Sequence, residues 1–130
     1  MKLLLDTHIL VWIAVDDAEL TAREREILAA PDAEVVCSAV SLWELRLKWN
    51  SMNLGGERKG RVAPEVVRDL VRAAGWTFLP LLPAHAVTPL VAPVAHKDPF
   101  DELLLVQAQV EGMRLLTRDR ALTGHPLAIH

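Results

Sequence analysis

Three consecutive leucines near the start of the chain, Leu3-Leu4-Leu5, lead directly into Asp6. A strand with no polar face must be buried on both sides, as in a parallel sheet that helices cover on each face. In open α/β sheets, ligands bind beyond the carboxyl ends of the strands, which is where Asp6 would lie. Aspartate is also a common helix N-cap, and this segment alone leaves both interpretations of Asp6 open.

Strand and helix patterns alternate along the rest of the chain. The predicted strands are the opening leucine run and residues 34–37, 76–79, 114–116 and, more weakly, 127–129. The predicted helices span residues 8–15, 22–30, 39–50, 64–75 and 99–112, with at most a short helix around 84–91. This order implies right-handed crossovers and a three-layer α/β/α sandwich around a mainly parallel sheet. A length of 130 residues predicts one domain, residues 1–130.

Composition and charge narrow the classes of function. Apolar residues make up 52% of the chain and charged residues 24%, which is typical of a soluble globular protein. No apolar run approaches the ~18 residues of a membrane span, and the N-terminus lacks a signal-peptide pattern, so we expect a cytoplasmic protein. The single cysteine, Cys37, fits a reducing compartment. A net charge of -3 argues against simple electrostatic binding of nucleic acid, but not against an enzyme whose acidic site binds cations.

Asp101 is the most informative carboxylate. In the helix predicted from Pro99, it lies on the same side as Leu104 and Ala108, whereas Glu102 falls on the opposite side. A carboxylate on a buried face must be paired, hydrogen-bonded or bound to metal, because an isolated buried charge is very costly. The alternative is that Asp98 caps this helix and Asp101, at its third position, bonds back to the cap.

Two further carboxylates allow two interpretations each. Glu44 lies at the border of an apolar arc of the 39–50 helix, where it can also pair with Lys48 one turn later. Asp119 follows the strand at 114–116, as Asp6 follows the first strand. Taken alone, Asp119 would be a turn residue or the N-cap of residues 120–122.

Together, these acids can converge on one edge of the sheet. Two carboxylates about 4 Å apart repel by roughly 4 kcal/mol at an effective dielectric constant of about 20, so such a cluster requires protons or a cation. Carboxylate oxygens are the ligands that Mg²⁺ and Mn²⁺ prefer. A site of this kind is typical of metal-assisted phosphodiester hydrolysis.

The 39–50 helix carries more apolar surface than one core requires. Its two opposite apolar arcs comprise Val40, Trp43 and Leu47, and Leu42, Leu45 and Trp49. We therefore predict that one arc contacts another chain. Among the other residues, His8 could contact a substrate, although a histidine in the first turn of a helix is more often structural or solvated. The histidines show no zinc-like spacing and there is one cysteine, which excludes a zinc site.

Four segments of the chain match the motifs of a known family in order and spacing. They are Leu4-Leu5-Asp6-Thr7-His8 with Trp12, Ser38-Ala39-Val40-Ser41-Leu42-Trp43-Glu44, His96-Lys97-Asp98-Pro99-Phe100-Asp101 with Leu104 and Gln107-Ala108, and Leu116-Thr117-Arg118-Asp119. The chain thereby resembles the PIN-domain ribonucleases, and most closely the VapC-type toxins of bacterial toxin–antitoxin pairs. Each segment is weak alone, but the ordered set covers nearly the whole chain.

The resemblance implies a five-stranded parallel sheet with helices on both sides and an acidic pocket that binds Mg²⁺ or Mn²⁺. By position, the catalytic and metal-binding acids would be Asp6, Glu44, Asp101 and Asp119, with Asp98 as an accessory acid of the metal site and Thr7, Ser38 and Thr117 as supporting polar residues. These acids would hold one or two metals that activate water for hydrolysis of RNA.

The resemblance also implies protein partners. VapC-type toxins form homodimers, and an antitoxin silences them in a complex that can be larger. One position departs from the pattern, because close relatives usually carry arginine where this chain has Glu102. Since Glu102 faces away from the predicted core, we expect catalysis to survive and substrate handling or a surface contact to change.

Two other functions compete with the nuclease. A phosphoryl-transfer domain with a strand-end aspartate nucleophile is disfavoured because Thr7-His8, and not a second acid, follows Asp6. A PIN-like scaffold that binds RNA or a protein without cutting is the non-enzymatic alternative. The presence of all four acids argues against it.

Overall fold

The computed structural model describes residues 1–95 and 98–130. Its five strands are β1 (Lys2–Leu5), β2 (Glu34–Ser38), β3 (Thr77–Leu79), β4 (Arg114–Leu116) and β5 (Ala128–Ile129). They form one sheet in the order β3-β2-β1-β4-β5, and every neighbouring pair is parallel. The predicted five-stranded parallel sheet is therefore confirmed, with the leucine run as its central strand.

Helices connect the strands. They are α1 (Thr7–Val15), α2 (Ala22–Leu28), α3 (Ala39–Trp49), α4 (Pro64–Ala73), α5 (Pro83–Val87) and α6 (Pro99–Glu111), with 3-10 turns at Asp17–Glu19 and Arg120–Leu122. The predicted bounds hold to within about two residues, except that α5 ends at Val87 and not near 91. α4 ends before the predicted Gly75, whose φ of +74° reverses the chain towards β3.

The alternation of β1 side chains explains why all three leucines are needed. Leu3 and Leu5 belong to the apolar core that includes residues of α1 and α4, and Leu4 belongs to the core that includes residues of α3 and α6. All three side chains are fully buried. Each leucine contributes roughly 1.5–3 kcal/mol of burial free energy, so a polar residue at any of these positions would weaken one layer. The predicted three-layer sandwich is confirmed.

The parallel arrangement brings several chain segments to one edge of the sheet. Asp6 directly follows β1, Ser38 ends β2, and Thr117 directly follows β4. The backbone amide of Asp6 donates to the carbonyl of Leu116 over 3.0 Å, which joins the ends of β1 and β4. A side chain placed just after any of these central strands therefore faces the same edge.

Three local expectations can be compared with the structure. Cys37 is a buried free cysteine, and burial raises the pKa of its thiol to about 12, which disfavours the reactive thiolate. No helix in the described ranges is long and apolar enough to cross a membrane. The His96-Lys97 part of the matched motif lies outside the described residues.

Candidate active site

Asp6 is held at the carboxyl end of β1 by a hydrogen bond from the neighbouring strand end. Its side chain is 3% exposed, and Thr117 Oγ1 donates to Asp6 Oδ2 over 2.6 Å. Asp6 occupies the N-cap position of α1, as one interpretation predicted, but its side chain does not form the usual capping bond of that helix. Burial raises the pKa of Asp6, and the Thr117 hydrogen bond partly offsets this effect. Burial therefore favours the protonated form of Asp6, and a bound cation would favour the ionised carboxylate instead.

Asp101 is the centre of the acidic cluster. Burial is the largest effect that raises its pKa, to about 8, followed by the charges of Asp6, Asp98 and Asp119 and a hydrogen bond with the Asp119 side chain. The alignment of α6 with β1 and β4 thus brings together four aspartates that are far apart in the sequence. At neutral pH, a pKa of about 8 favours the protonated form of Asp101, which removes one of the repelling charges.

Asp98 and Asp119 each have a structural contact as well as a place near Asp101. Asp98 Oδ1 accepts the Phe100 backbone N–H over 2.9 Å and caps α6, as the alternative interpretation of this segment proposed. Asp119 Oδ1 accepts the Ala121 N–H over 2.9 Å and caps the 3-10 turn. Because a carboxylate has two oxygens and about four acceptor sites, capping leaves acceptor capacity for another ligand.

Glu44 has an ion-pair partner on its own helix and also affects Asp6 electrostatically. It is 6% exposed, its Oε2 lies 2.8 Å from Lys48 Nζ, and its charge raises the pKa of Asp6. The pairing of Glu44 with Lys48 one helical turn later is therefore confirmed. Lys48 is partly exposed, so its ammonium group can leave Glu44 for solvent when another cation replaces it.

The supporting polar residues have different contacts. Thr117 Oγ1 donates to Asp6 and also accepts the Asp119 backbone N–H over 3.0 Å, so it links two acids. Thr7 Oγ1 instead donates to Ser41 Oγ over 3.0 Å and joins α1 to α3. Ser38 Oγ accepts the Val40 N–H over 3.0 Å and caps α3.

Gln107 was matched as a motif residue, but its structural role was not predicted. It is fully buried, and its Oε1 accepts a 2.5 Å hydrogen bond from Ser38 Oγ. Its Nε2 lies 3.3 Å from His85 Nδ1, and His85 Nε2 lies 3.0 Å from Glu111 Oε1. Gln107 therefore ties α6, which carries Asp101, to the start of α3, which carries Glu44. A glutamine on the apolar face of α6 is the sequence signal that could have indicated this contact.

Arg118 was likewise only a motif residue in the sequence analysis. Its Nε donates to Glu24 Oε1 over 2.7 Å and its Nη2 to Glu24 Oε2 over 2.6 Å, while the guanidinium carbon lies 3.9 Å from the centre of the Trp12 ring. Glu24 is buried and also completes the capping box of α2 with Thr21. Beside this group lies a cleft of about 340 Å³, lined by Asp6, His8, Trp12, Arg118 and Asp119.

The donor set fits a hard divalent cation, although it is not arranged as a complete binding site. No group of three or more histidine, cysteine, aspartate or glutamate side chains within residues 1–95 and 98–130 already has metal-binding geometry. The raised pKa of Asp101 favours its protonated form, and the ammonium of Lys48 pairs with Glu44, so both reduce the negative charge of the acids. All the clustered donors are carboxylate oxygens, which Mg²⁺ and Mn²⁺ prefer, so a cation could replace the proton and the ammonium.

Sequence and structure comparisons identify the family. The PIN domain model matches residues 3–124. Ribonuclease VapC22 from Mycobacterium tuberculosis is 30% identical over 129 residues, which cover 94% of this chain and 90% of that protein. VapBC2 from Rickettsia felis, solved bound to a DNA fragment from its promoter, has a TM-score of 0.64 at 18% identity and covers 99% of this chain and 96% of its own.

A toxin–antitoxin complex from Klebsiella pneumoniae has the same fold. Its TM-score is 0.61 at 17% identity, with 98% of this chain and 95% of that chain covered. At such low identities, these two structures bear on the fold alone. The M. tuberculosis relative extends the similarity to the sequence, and the residues matched by the family model include Asp6, Glu44, Asp101 and Asp119. The chain therefore belongs to the PIN-domain family, as its motifs predicted.

Proposed function

We propose that this chain is an endoribonuclease that acts as the toxin of a toxin–antitoxin pair in the cytoplasm. The observation that carries the proposal is the position of Asp101 among Asp6, Asp98 and Asp119, where its pKa is raised to about 8. A cluster of four acids seldom serves a structural purpose alone, because the repulsion among their negative charges destabilises the folded state. A similar sequence in Ribonuclease VapC22 supports hydrolysis of RNA as the reaction.

The proposed cofactor is Mg²⁺ or Mn²⁺. Asp6, Asp101 and Asp119 would hold it, with Glu44 and Asp98 at the border of the site. A bound divalent cation supplies Lewis acidity towards the scissile phosphate and lowers the pKa of water. The chain's own contribution is to fix the carboxylates: Thr117 orients Asp6 and contacts the backbone of Asp119, and the Ser38–Gln107 bond joins the helices that carry Glu44 and Asp101.

The first test is cleavage of a mixed RNA pool that includes transfer RNAs. We expect cutting with Mg²⁺ or Mn²⁺ and none with chelator, because the cation would supply the Lewis acidity and the activated water that the acids cannot supply alone. Asp6→Asn protein, prepared identically, controls for contaminating nuclease and should be inactive. Folded wild-type protein, free of any bound antitoxin, that neither cuts RNA nor binds metal by calorimetry would instead support the PIN-like scaffold that binds without cutting.

The proposed partners are an antitoxin and a second copy of this chain. Both similar solved structures come from toxin–antitoxin systems. On α3, Trp43 is 47% exposed and Leu47 39% exposed, whereas Val40 at the start of the same arc is buried. Trp43 packs edge-on against Phe100 at 5.5 Å between ring centroids, which fixes part of this apolar surface. Large exposed side chains at adjacent turns favour a protein contact.

This partner proposal predicts a selective effect of charge on α3. Leu47→Glu should weaken co-purification with the product of the adjacent reading frame, or self-association, by about tenfold or more, because it places a carboxylate in an apolar interface. Val66→Glu is the matched control, since Val66 is 50% exposed on α4. Light scattering and co-purification measure both effects. A wild-type chain that remains monomeric and without a partner would contradict the proposal.

A further inference from the structure

The cleft beside the acids is lined by the planar side chains of His8, Trp12 and Arg118 as well as by Asp6 and Asp119. Trp12 contacts the guanidinium of Arg118 on one side of the cleft, and the His8 and Trp12 rings stack with centroids 6.0 Å apart. His8 is exposed, so its ring is accessible from solvent. The cleft volume of about 340 Å³ is near the lower end of ligand pockets, which span roughly 300–1,000 Å³. It suits one small planar group.

The hydrogen bonds of Arg118 hold its guanidinium group in place and weaken its attraction for anions. The buried carboxylate of Glu24 binds its Nε and Nη2 atoms, and the Glu19 carbonyl accepts from Nη2 over 2.7 Å. This pairing neutralises the guanidinium charge, and Asp6 and Asp119 add negative charge to the cleft wall. A phosphate group would therefore be repelled here, whereas an uncharged planar group would not.

The same contacts leave two features of Arg118 for a ligand. Its Nη1 makes no hydrogen bond to the described part of the chain and can donate to an acceptor. About a third of its side chain is exposed, and the guanidinium plane is already fixed by Trp12 and Glu24. Unpaired bases in RNA stack on arginine planes and aromatic rings and form hydrogen bonds through their edges.

We propose that this cleft binds one unpaired base of the RNA, next to the bond that is cut. The base would stack against Arg118 and His8, and the in-plane N–H groups of Arg118 Nη1 would donate to a neighbouring acceptor of the same RNA strand. Since Asp6 and Asp119 belong to both the cleft and the acidic cluster, the base would lie beside the scissile phosphate. This inference rests on the proposed ribonuclease function, and it assigns base selection to residues outside the acidic cluster.

The first experiment sequences the ends of fragments cut from a random-sequence RNA pool. Wild-type protein should prefer certain bases at one position adjacent to the cut, because the cleft accepts a single base. His8→Ala should flatten the preference at that position and preserve preferences elsewhere, with a larger effect on KM than on kcat. Arg23→Ala, an exposed arginine on α2, is the matched control and should leave the pattern unchanged.

A second experiment measures binding without cleavage. Asp101→Asn protein is mixed with a random-sequence RNA decamer pool, and the bound fraction is quantified and sequenced. Adding His8→Ala should weaken binding by about tenfold, the scale of one lost stacking contact, and remove the enrichment for particular bases. Arg118→Lys tests the planar group, with circular dichroism to verify folding because Glu24 depends on Arg118.

The outcomes separate this inference from the proposed function. If wild-type protein cuts RNA and His8→Ala leaves both the base preference and the binding unchanged, the base-binding cleft is refuted while the nuclease stands. If wild-type protein cuts no RNA and the Asp101→Asn protein binds none, the proposed function fails first. A folded Arg118→Lys protein that keeps the full base preference would also overturn the role of the guanidinium plane.

Discussion

Replacing Asp101 with asparagine is expected to lower the rate of RNA cleavage by roughly 10²–10³-fold, the scale for losing one preorganised electrostatic group from an active site. Asparagine preserves the shape of the side chain but cannot carry the negative charge that would balance a divalent cation. Asp101 is also the residue on which the charges of Asp6, Asp98 and Asp119 act together. The loss should therefore exceed that of any surface acid.

Glu102→Gln is the matched control for this prediction. Glu102 is the next residue on α6, and replacing it with glutamine removes the same charge as Asp101→Asn. Glu102 is exposed, in agreement with its predicted orientation away from the core. Single-turnover cleavage of one defined RNA compares the two proteins, and metal binding by calorimetry is measured beside it. Equal activity of Asp101→Asn and wild type, or equal losses in both variants, would remove Asp101 from the site.

The second large effect concerns stability and pH. In the metal-free protein, the pKa of Asp101 is raised from 3.8 to about 8. The folded state therefore binds more protons than the unfolded state between these values, so the free energy of unfolding should fall as pH rises from about 4 to about 8. Burial raises the pKa of Asp6 as well, which adds a loss of the same sign.

Divalent cations should reverse this loss. Metal binding competes with the proton on Asp101, so the rise in Tm on adding Mg²⁺ or Mn²⁺ should grow as pH increases towards 8 and beyond. Thermal unfolding at pH values from 5 to 9, with chelator or with metal, measures both effects. Asp101→Asn should flatten the pH dependence, whereas Glu102→Gln should preserve it. A metal-free wild type that gains stability between pH 5 and pH 8 would contradict the assigned cluster.

Local patterns were sufficient for most of the fold. The apolar run at Leu3–Leu5 predicted a strand buried on both faces, and all three side chains are fully buried in the structure. Alternating strands and helices imply a parallel sheet because crossovers have one preferred hand. The order β3-β2-β1-β4-β5 was not predicted, since it depends on which strands pair over long sequence distances.

Local patterns also indicated several residues of the candidate site, but not all of their contacts. Positions after strand ends indicated Asp6 and Asp119, and the apolar face of α6 indicated Asp101. Spacing alone left both a salt bridge and a site role open for Glu44. The structure shows the salt bridge with Lys48 and also a charge effect of Glu44 on Asp6. Asp98 and Asp119 can each cap a helical segment and also belong to the acidic cluster, because a carboxylate accepts more than one hydrogen bond.

Other features required the tertiary structure. Glu24 and Arg118 are 94 residues apart, and Ser38 and Gln107 are 69 residues apart, so no local pattern could pair them. The raised pKa of Asp101 likewise comes from burial and from acids that only the folded chain brings near it. Periodicity determines which residues face inward, because it depends on a few neighbouring dihedral angles. Which buried polar groups meet depends on long-range packing, and that arrangement decides the chemistry.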